Sequence, residues 1–150
     1  MKLVERKTKQ QALQADGLLI GAWLQIVRML LIAASFITAY LTLIILAQGG
    51  QVPGCGANSS CSKVLSSPWS YWLGIPVSLP GLGLYAAFLL STFSLKLDQL
   101  ENTKRALNTL TLCSFAILGA AFWFLGVQVI AIKAFCLYCC TAHGLASLAA

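Results

Sequence analysis

The chain has 150 residues, of which 59% are hydrophobic and 9% charged, with a formal net charge of +6 and six cysteines. Soluble domains carry about 25% charged residues, so a water-facing globule is excluded. The basic excess tracks the layout of the apolar segments and does not indicate nucleic-acid binding.

Residues 1–16 read as a polar cytoplasmic arm, frayed, and residues 17–150 as a four-helix transmembrane redox domain. Gly17–Val27 is semi-apolar, carries Trp23, and either lies along the interface or extends the first helix. The first apolar stretch, Met29–Ala47, is too long for the core of a secretory signal and is read as a retained span. Ile75–Leu95 and Ala106–Ile132 come next, and Ala134–Ala150 completes the set. About 20 apolar residues cross a hydrocarbon core of roughly 30 Å. Three stretches span comfortably, whereas the fourth gives only about 25 Å of helix. The natural protein is expected to continue past it.

Eight of the ten basic residues (Lys2, Arg6, Lys7, Lys9, Arg28, Lys96, Lys104 and Arg105) fall on one side of these spans, leaving Lys63 and Lys133 on the other. A Lys and Arg excess in short loops marks the cytoplasmic face. Both termini are therefore placed in the cytoplasm. Short connections make successive helices antiparallel neighbours, so the expected fold is all-α: a polytopic membrane four-helix bundle. The 27-residue external loop, Gln48–Gly74, caps its mouth. Within that loop Trp69, Tyr71 and Trp72 favour the headgroup level, and Ser67–Trp72 is predicted to dock there as a short half-helix.

The cysteines carry the chemistry. Cys113, inside the third span, reads as a small hydrophobe. Cys55 and Cys61 lie in the external loop, where disulfides persist. They are either a structural clip or an exchanging pair, and the flexible Gly- and Ser-rich sequence between them offers little to brace. Cys136 and Cys139 are three apart at the outer start of the fourth span, where a helix and its N-terminal partial charge favour a thiolate on a shared face. His143 continues that stripe, while Cys140 points about 100° from Cys139 and reads as packing or lipid-facing. Two thiol pairs at one rim read as an electron relay. A metal site built from Cys136, Cys139 and His143 with Cys55 or Cys61 competes, but three candidates in a line on one helix wrap an ion poorly. No metal is expected.

Three segments together resemble the vitamin K epoxide reductase family, in its bacterial branch. They are Cys55-x5-Cys61-Ser-Lys-Val-Leu-Ser-Ser67-Pro, Gly74-Ile-Pro76-Val-Ser-Leu-Pro-Gly81 and Phe135-Cys136-Leu-Tyr-Cys139. The resemblance runs from about Trp23 to the end and implies a membrane thiol-disulfide oxidoreductase around a bound quinone, either ubiquinone, menaquinone, phylloquinone or plastoquinone. It implies that Cys55 exchanges with a thioredoxin-like partner on the external face. It further implies that Cys61 forms a transient disulfide with Cys136, that Cys139 sits nearest the quinone, and that Ser67 lies near the reaction centre. His143 stands where the animal enzymes often have tyrosine, so a hydrogen bond from it to the quinone would make turnover pH-sensitive.

Cofactor contacts are expected from Cys139, His143, Tyr138 and Trp123, with Phe122, Phe124 and Pro76–Pro80 as further pocket candidates. Many bacterial members continue into a further span and a fused thioredoxin-like domain, which this chain lacks, so the partner acts in trans or the fused part has been removed. The expected setting is a bacterial inner (plasma) membrane or a thylakoid membrane, crossed several times, with the active site on the periplasmic or lumenal side. Two other readings remain open. One is a quinone or quinone-epoxide reductase for cofactor recycling. The other is a membrane metal-handling protein using Cys139 and Cys140.

Overall fold

A computed structural model describes residues 2–52, 59–95 and 100–150, with side chains described for 17–52, 59–95 and 103–150. Cys55 lies outside the described residues. The chain is almost entirely helical, in the order α1 (Lys2–Gln48), α2 (Ser60–Leu65), a 3-10 turn (Pro68–Ser70), strands β1 (Tyr71–Trp72) and β2 (Ile75–Pro76), and α3 (Ser78–Phe93). Then come α4 (Leu100–Val127), a π-helical turn (Gln128–Ile132) and α5 (Leu137–Ala149). The four longer helices lie side by side, with α1 and α4 each packed against both α3 and α5.

Two segments, Gly17–Gln48 and Thr103–Ile132, are long and apolar enough to cross a membrane, and Ser78–Phe93 is a shorter apolar helix. Large apolar side chains such as Phe36, Leu112, Phe115 and Phe122 stand exposed along α1 and α4. Apolar surface on that scale is stable in lipid, where helices satisfy their own backbone polar groups.

Several boundaries differ from the sequence reading. Residues 2–16, read as an arm, continue α1 as helix, and of the two alternatives for Gly17–Val27 the helix extension is the one observed. The second apolar stretch begins its helix only at Ser78, because Ile75 and Pro76 pair with Trp72 and Tyr71 in a two-stranded hairpin. Its two-residue turn, Leu73-Gly74, has φ +53 and +80, the backbone of a type I′ turn that matches the strands' twist. Pro80 falls in the first turn of α3, where a missing N–H leaves no hydrogen bond unmade. The short helix of the loop between α1 and α3 is α2, carrying Cys61, and not Ser67–Trp72, which folds as a 3-10 turn running into β1.

Two buried clusters hold the bundle. In one, Leu31, Ala34, Tyr85, Phe88, Ile117 and Ala146 join all four long helices. Ala34 and Ala146 are fully buried, and such small residues let α1 and α5 approach closely. In the other, Leu41, Ile44 and Ile45 of α1 receive Val52, Cys61, Val64 and Leu65 of the loop, together with Ala134 and Cys136. That second cluster fastens the loop between α1 and α3 down over one end of the bundle. At the opposite end Arg28 ties α1 to α3: its guanidinium donates to the Thr92 hydroxyl and carbonyl at 3.2 and 3.0 Å and lies 4.1 Å over the Phe93 ring.

Candidate active site

The loop helix α2 is built to present Cys61. Ser59 caps it in extended backbone, with its hydroxyl accepting from the Ser62 N–H at 3.1 Å. Ser62, itself buried, accepts the Val52 N–H at 3.4 Å and so stitches the helix to the segment leaving α1. Val64 and Leu65 fill the core below. Cys61 is thereby held, buried, against Cys136.

Cys136 is completely buried and precedes its helix instead of lying on it: its backbone is extended (φ −93, ψ 109) and it serves as the N-cap of α5. Its Sγ accepts the Cys139 N–H at 3.4 Å. The expectation that both motif cysteines share a helical face is corrected accordingly, since the sulfur takes the place a capping oxygen usually fills. The Cys61 thiol lies close enough to Cys136 for the two to perturb each other, with the backbone of Leu137 and Tyr138 beside it, and Cys136 is tied in turn to the Cys139 N–H. The three sulfurs form a row across the first turn of α5. All five described cysteines are free thiols. Burial, and next the contact with Cys136, push the Cys61 thiol above its ordinary value of 9.0.

Cys139 is the member of the row that faces a partly open cavity of about 780 Å³. The cavity runs between the helices and under the loop that joins α1 to α3, and its wall is mainly apolar. Its size falls within the roughly 300–1,000 Å³ usual for small-molecule sites. Leu41, Ile45, Leu84, Trp123 and Phe124 come from the long helices, and Val64, Leu65, Ser67 and Trp69 from the loop. Trp69 meets Trp123 edge-on at 6.3 Å between ring centroids, closing loop onto helix. His143 lies on the same wall, stacked on Phe124 at 5.5 Å, and its Nδ1 is a buried polar atom without a hydrogen-bond partner. A buried polar atom left unpaired is costly, so the wall is suited to a ligand bearing a hydrogen-bonding oxygen.

Other expected residues are placed differently. Ser67 lines the cavity, but its hydroxyl donates to the Val64 carbonyl at 2.7 Å and helps shape the loop. Tyr138 is not on the cavity wall: it is 37% exposed and packs with Tyr40 at 6.0 Å. One residue of helix turns a side chain by about 100°, so Cys139 and Tyr138 cannot both face inward. Phe122, 82% exposed, also points away, whereas Phe124 and Pro80 line the wall. Cys113 packs in the deep core with Leu31 and Ile117. Among the described residues, no three of His, Cys, Asp and Glu converge as metal ligands.

Sequence reasoning missed Tyr85, a buried cavity residue from α3 within electrostatic reach of Cys139. It also missed Gln128, 2% exposed, whose Oε1 accepts the Cys136 N–H at 2.7 Å and the Cys140 thiol at 3.8 Å. The available signal was a lone amide at the end of an apolar span, just before the thiol motif.

Apolar, bilayer-length helices with a row of thiols ending on an apolar cavity define a class of protein, a membrane oxidoreductase. The particular family is established by sequence. The model of the vitamin K epoxide reductase family matches residues 22–150, nearly the whole chain, and the protein belongs to that family. Its members are oxidoreductases that use quinones. Neither a curated protein nor a solved structure matches the chain.

Proposed function

We propose that this protein is a multi-pass thiol-disulfide oxidoreductase that takes electrons from a thioredoxin-like partner and delivers them to a quinone, promoting disulfide formation on the outer side of its membrane. That membrane is a bacterial inner (plasma) membrane or a thylakoid, with the thiols on the periplasmic or lumenal face. The observation that carries the reading is the unbroken row Cys61, Cys136, Cys139, with its last sulfur on the cavity wall.

The partner's dithiol reduces a Cys55–Cys61 disulfide and is itself oxidised to a disulfide. The Cys61 thiolate then attacks the Cys136 sulfur of a Cys136–Cys139 bridge, and the electron pair of the broken bond leaves on Cys139. Cys55 next attacks Cys61, which restores the loop disulfide and frees Cys136. Each transfer is thiolate displacement through a mixed disulfide. A quinone in the cavity supplies the acceptor for two electrons and two protons. Cys139, as the cavity-facing thiol, is where the pair leaves the chain, re-forming the Cys136–Cys139 bridge. With its proton on Nδ1, His143 can donate to a quinone oxygen. Trp123 and Phe124 supply aromatic wall for a flat ring, and Trp69 helps the loop exclude water. Ser67 supports the loop from which Cys61 acts.

Trapping tests this order. Cys55→Ala removes the thiol that resolves the mixed bond and leaves the Cys136–Cys139 bridge for Cys61 to attack, so a Cys61–Cys136 disulfide is expected to accumulate and to be seen by peptide mass spectrometry. Its absence, with the protein folded and Cys61 alkylatable, sinks the relay. Quinone-epoxide reduction is the second reading, favoured by the family alone. It is separated by supplying quinone and epoxide to the same preparation.

A further inference from the structure

We infer that Gln128 determines which cysteine pairs with Cys136. The inference rests on the proposed relay, because it concerns the disulfide formed by the second thiol pair. Cys140 lies one helical turn from Cys136: its N–H donates to the Cys136 carbonyl at 2.9 Å. Residues four apart on a helix have Cβ atoms about 5–6 Å apart, and a disulfide needs Cβ atoms about 3.5–4.5 Å apart. A small movement of an N-cap residue that lies outside the helix closes that gap. Cys140 is within electrostatic reach of both Cys136 and Cys61. It is therefore a standing competitor for Cys139.

One side-chain oxygen restrains both members of the wrong pair. Gln128 Oε1 accepts the Cys136 backbone N–H at 2.7 Å, anchoring the residue that carries one sulfur, and accepts the Cys140 thiol at 3.8 Å, engaging the other. The backbone that carries this amide is itself tied into the turn. Gln128 opens the π-helical turn, and its carbonyl accepts the N–H groups of Lys133, in left-handed backbone, and Ala134. The tight turn before the thiol motif and the first turn of α5 thus share one residue. Without that acceptor, a Cys140 thiolate attacks Cys136 in the Cys136–Cys139 bridge. A Cys136–Cys140 bond forms, the Cys136–Cys139 bond breaks, and the electron pair leaves on Cys139, which takes up the proton lost by Cys140. No outside oxidant is consumed. The misplaced bridge leaves Cys139 a lone thiol on the cavity wall, unable to re-form its pair.

Gln128→Met keeps the side chain's length and removes the acceptor. The full chain in detergent is equilibrated with a glutathione redox buffer, and its disulfides are mapped by mass spectrometry without quinone or partner. The wild type should hold Cys136–Cys139 at least tenfold over Cys136–Cys140, and Gln128→Met should bring the two within threefold of each other. Adding Cys140→Ala should restore the single bridge, a rescue that a merely structural role for Gln128 does not give. Wild-type pairing in Gln128→Met, or no rescue in the double variant, overturns the inference while leaving the relay intact. A wild type that forms no Cys136–Cys139 bridge overturns both.

Discussion

Gly50 tests whether the placement of α2 governs electron transfer. Its φ is +88, and an added side-chain carbon would stand 2.7 Å from the Leu65 carbonyl carbon and 2.8 Å from the Ser66 nitrogen. Ordinary contact starts near 3.4 Å, so the Leu65 backbone must retreat by about 0.7 Å. Both neighbours are main chain at the end of α2, so no side chain can swing aside, and Cys61 moves with them. Left-handed backbone costs an alanine about 1–2 kcal/mol, but Gly49, at φ +59 with nothing within 4 Å of its added carbon, carries a similar penalty without the collision. The pair Gly50→Ala and Gly49→Ala therefore separates displacement from strain. A misplacement on the order of 1 Å can cost roughly 10²-fold in rate. In a Cys139→Ala background with diamide as oxidant, Gly50→Ala should slow Cys61–Cys136 disulfide formation by about 10- to 100-fold, and Gly49→Ala by less than about threefold. Equal trapping rates in the two, at unchanged helical content, would refute the claim that α2 must be held at sub-ångström precision.

Three further outcomes are expected. Because burial and then Cys136 push the Cys61 thiol above its ordinary 9.0, its thiolate is a minor species at neutral pH. Its alkylation rate should climb about tenfold per pH unit from about 7 to 9, and a plateau below about pH 8 contradicts the geometry. His143→Phe keeps the ring stacked on Phe124 but removes the orphaned nitrogen. Loss of one hydrogen bond, about 1 kcal/mol, should raise the quinone KM roughly fivefold while leaving Cys61–Cys136 exchange unchanged. A matching fall in exchange would place His143 in the thiol chemistry instead. Finally, single thiols introduced as Lys63→Cys and Thr103→Cys in a cysteine-free background should react with an impermeant maleimide from opposite sides of the membrane. Labelling from the same side excludes the proposed topology.

The sequence and the structure part where tertiary contacts outweigh local pattern. Hydropathy located the apolar helices, since a bilayer-length run of apolar residues has few other stable solutions. It failed at their outer ends: Ile75 and Pro76 are as apolar as the start of α3, yet the Leu73-Gly74 turn takes them into a hairpin. The aromatic cluster drew attention to Ser67–Trp72, while the signal for α2 was the less conspicuous Ser59 cap ahead of Cys61. The Cys136 motif was legible as two thiols at a helix start, but spacing could not tell a helical Cys136 from a capping one, because assigned helix ends are uncertain by one or two residues. That single residue matters. As a cap, Cys136 turns its sulfur inward to the Cys139 N–H and gives its own N–H to Gln128, a partner eight positions back across a π-helical turn. No periodic pattern encodes such a bond. The residues proposed to accept or donate electrons were chosen from their chemistry. Those that aim them, Gln128 and Gly50 above all, become visible only once the chain is folded.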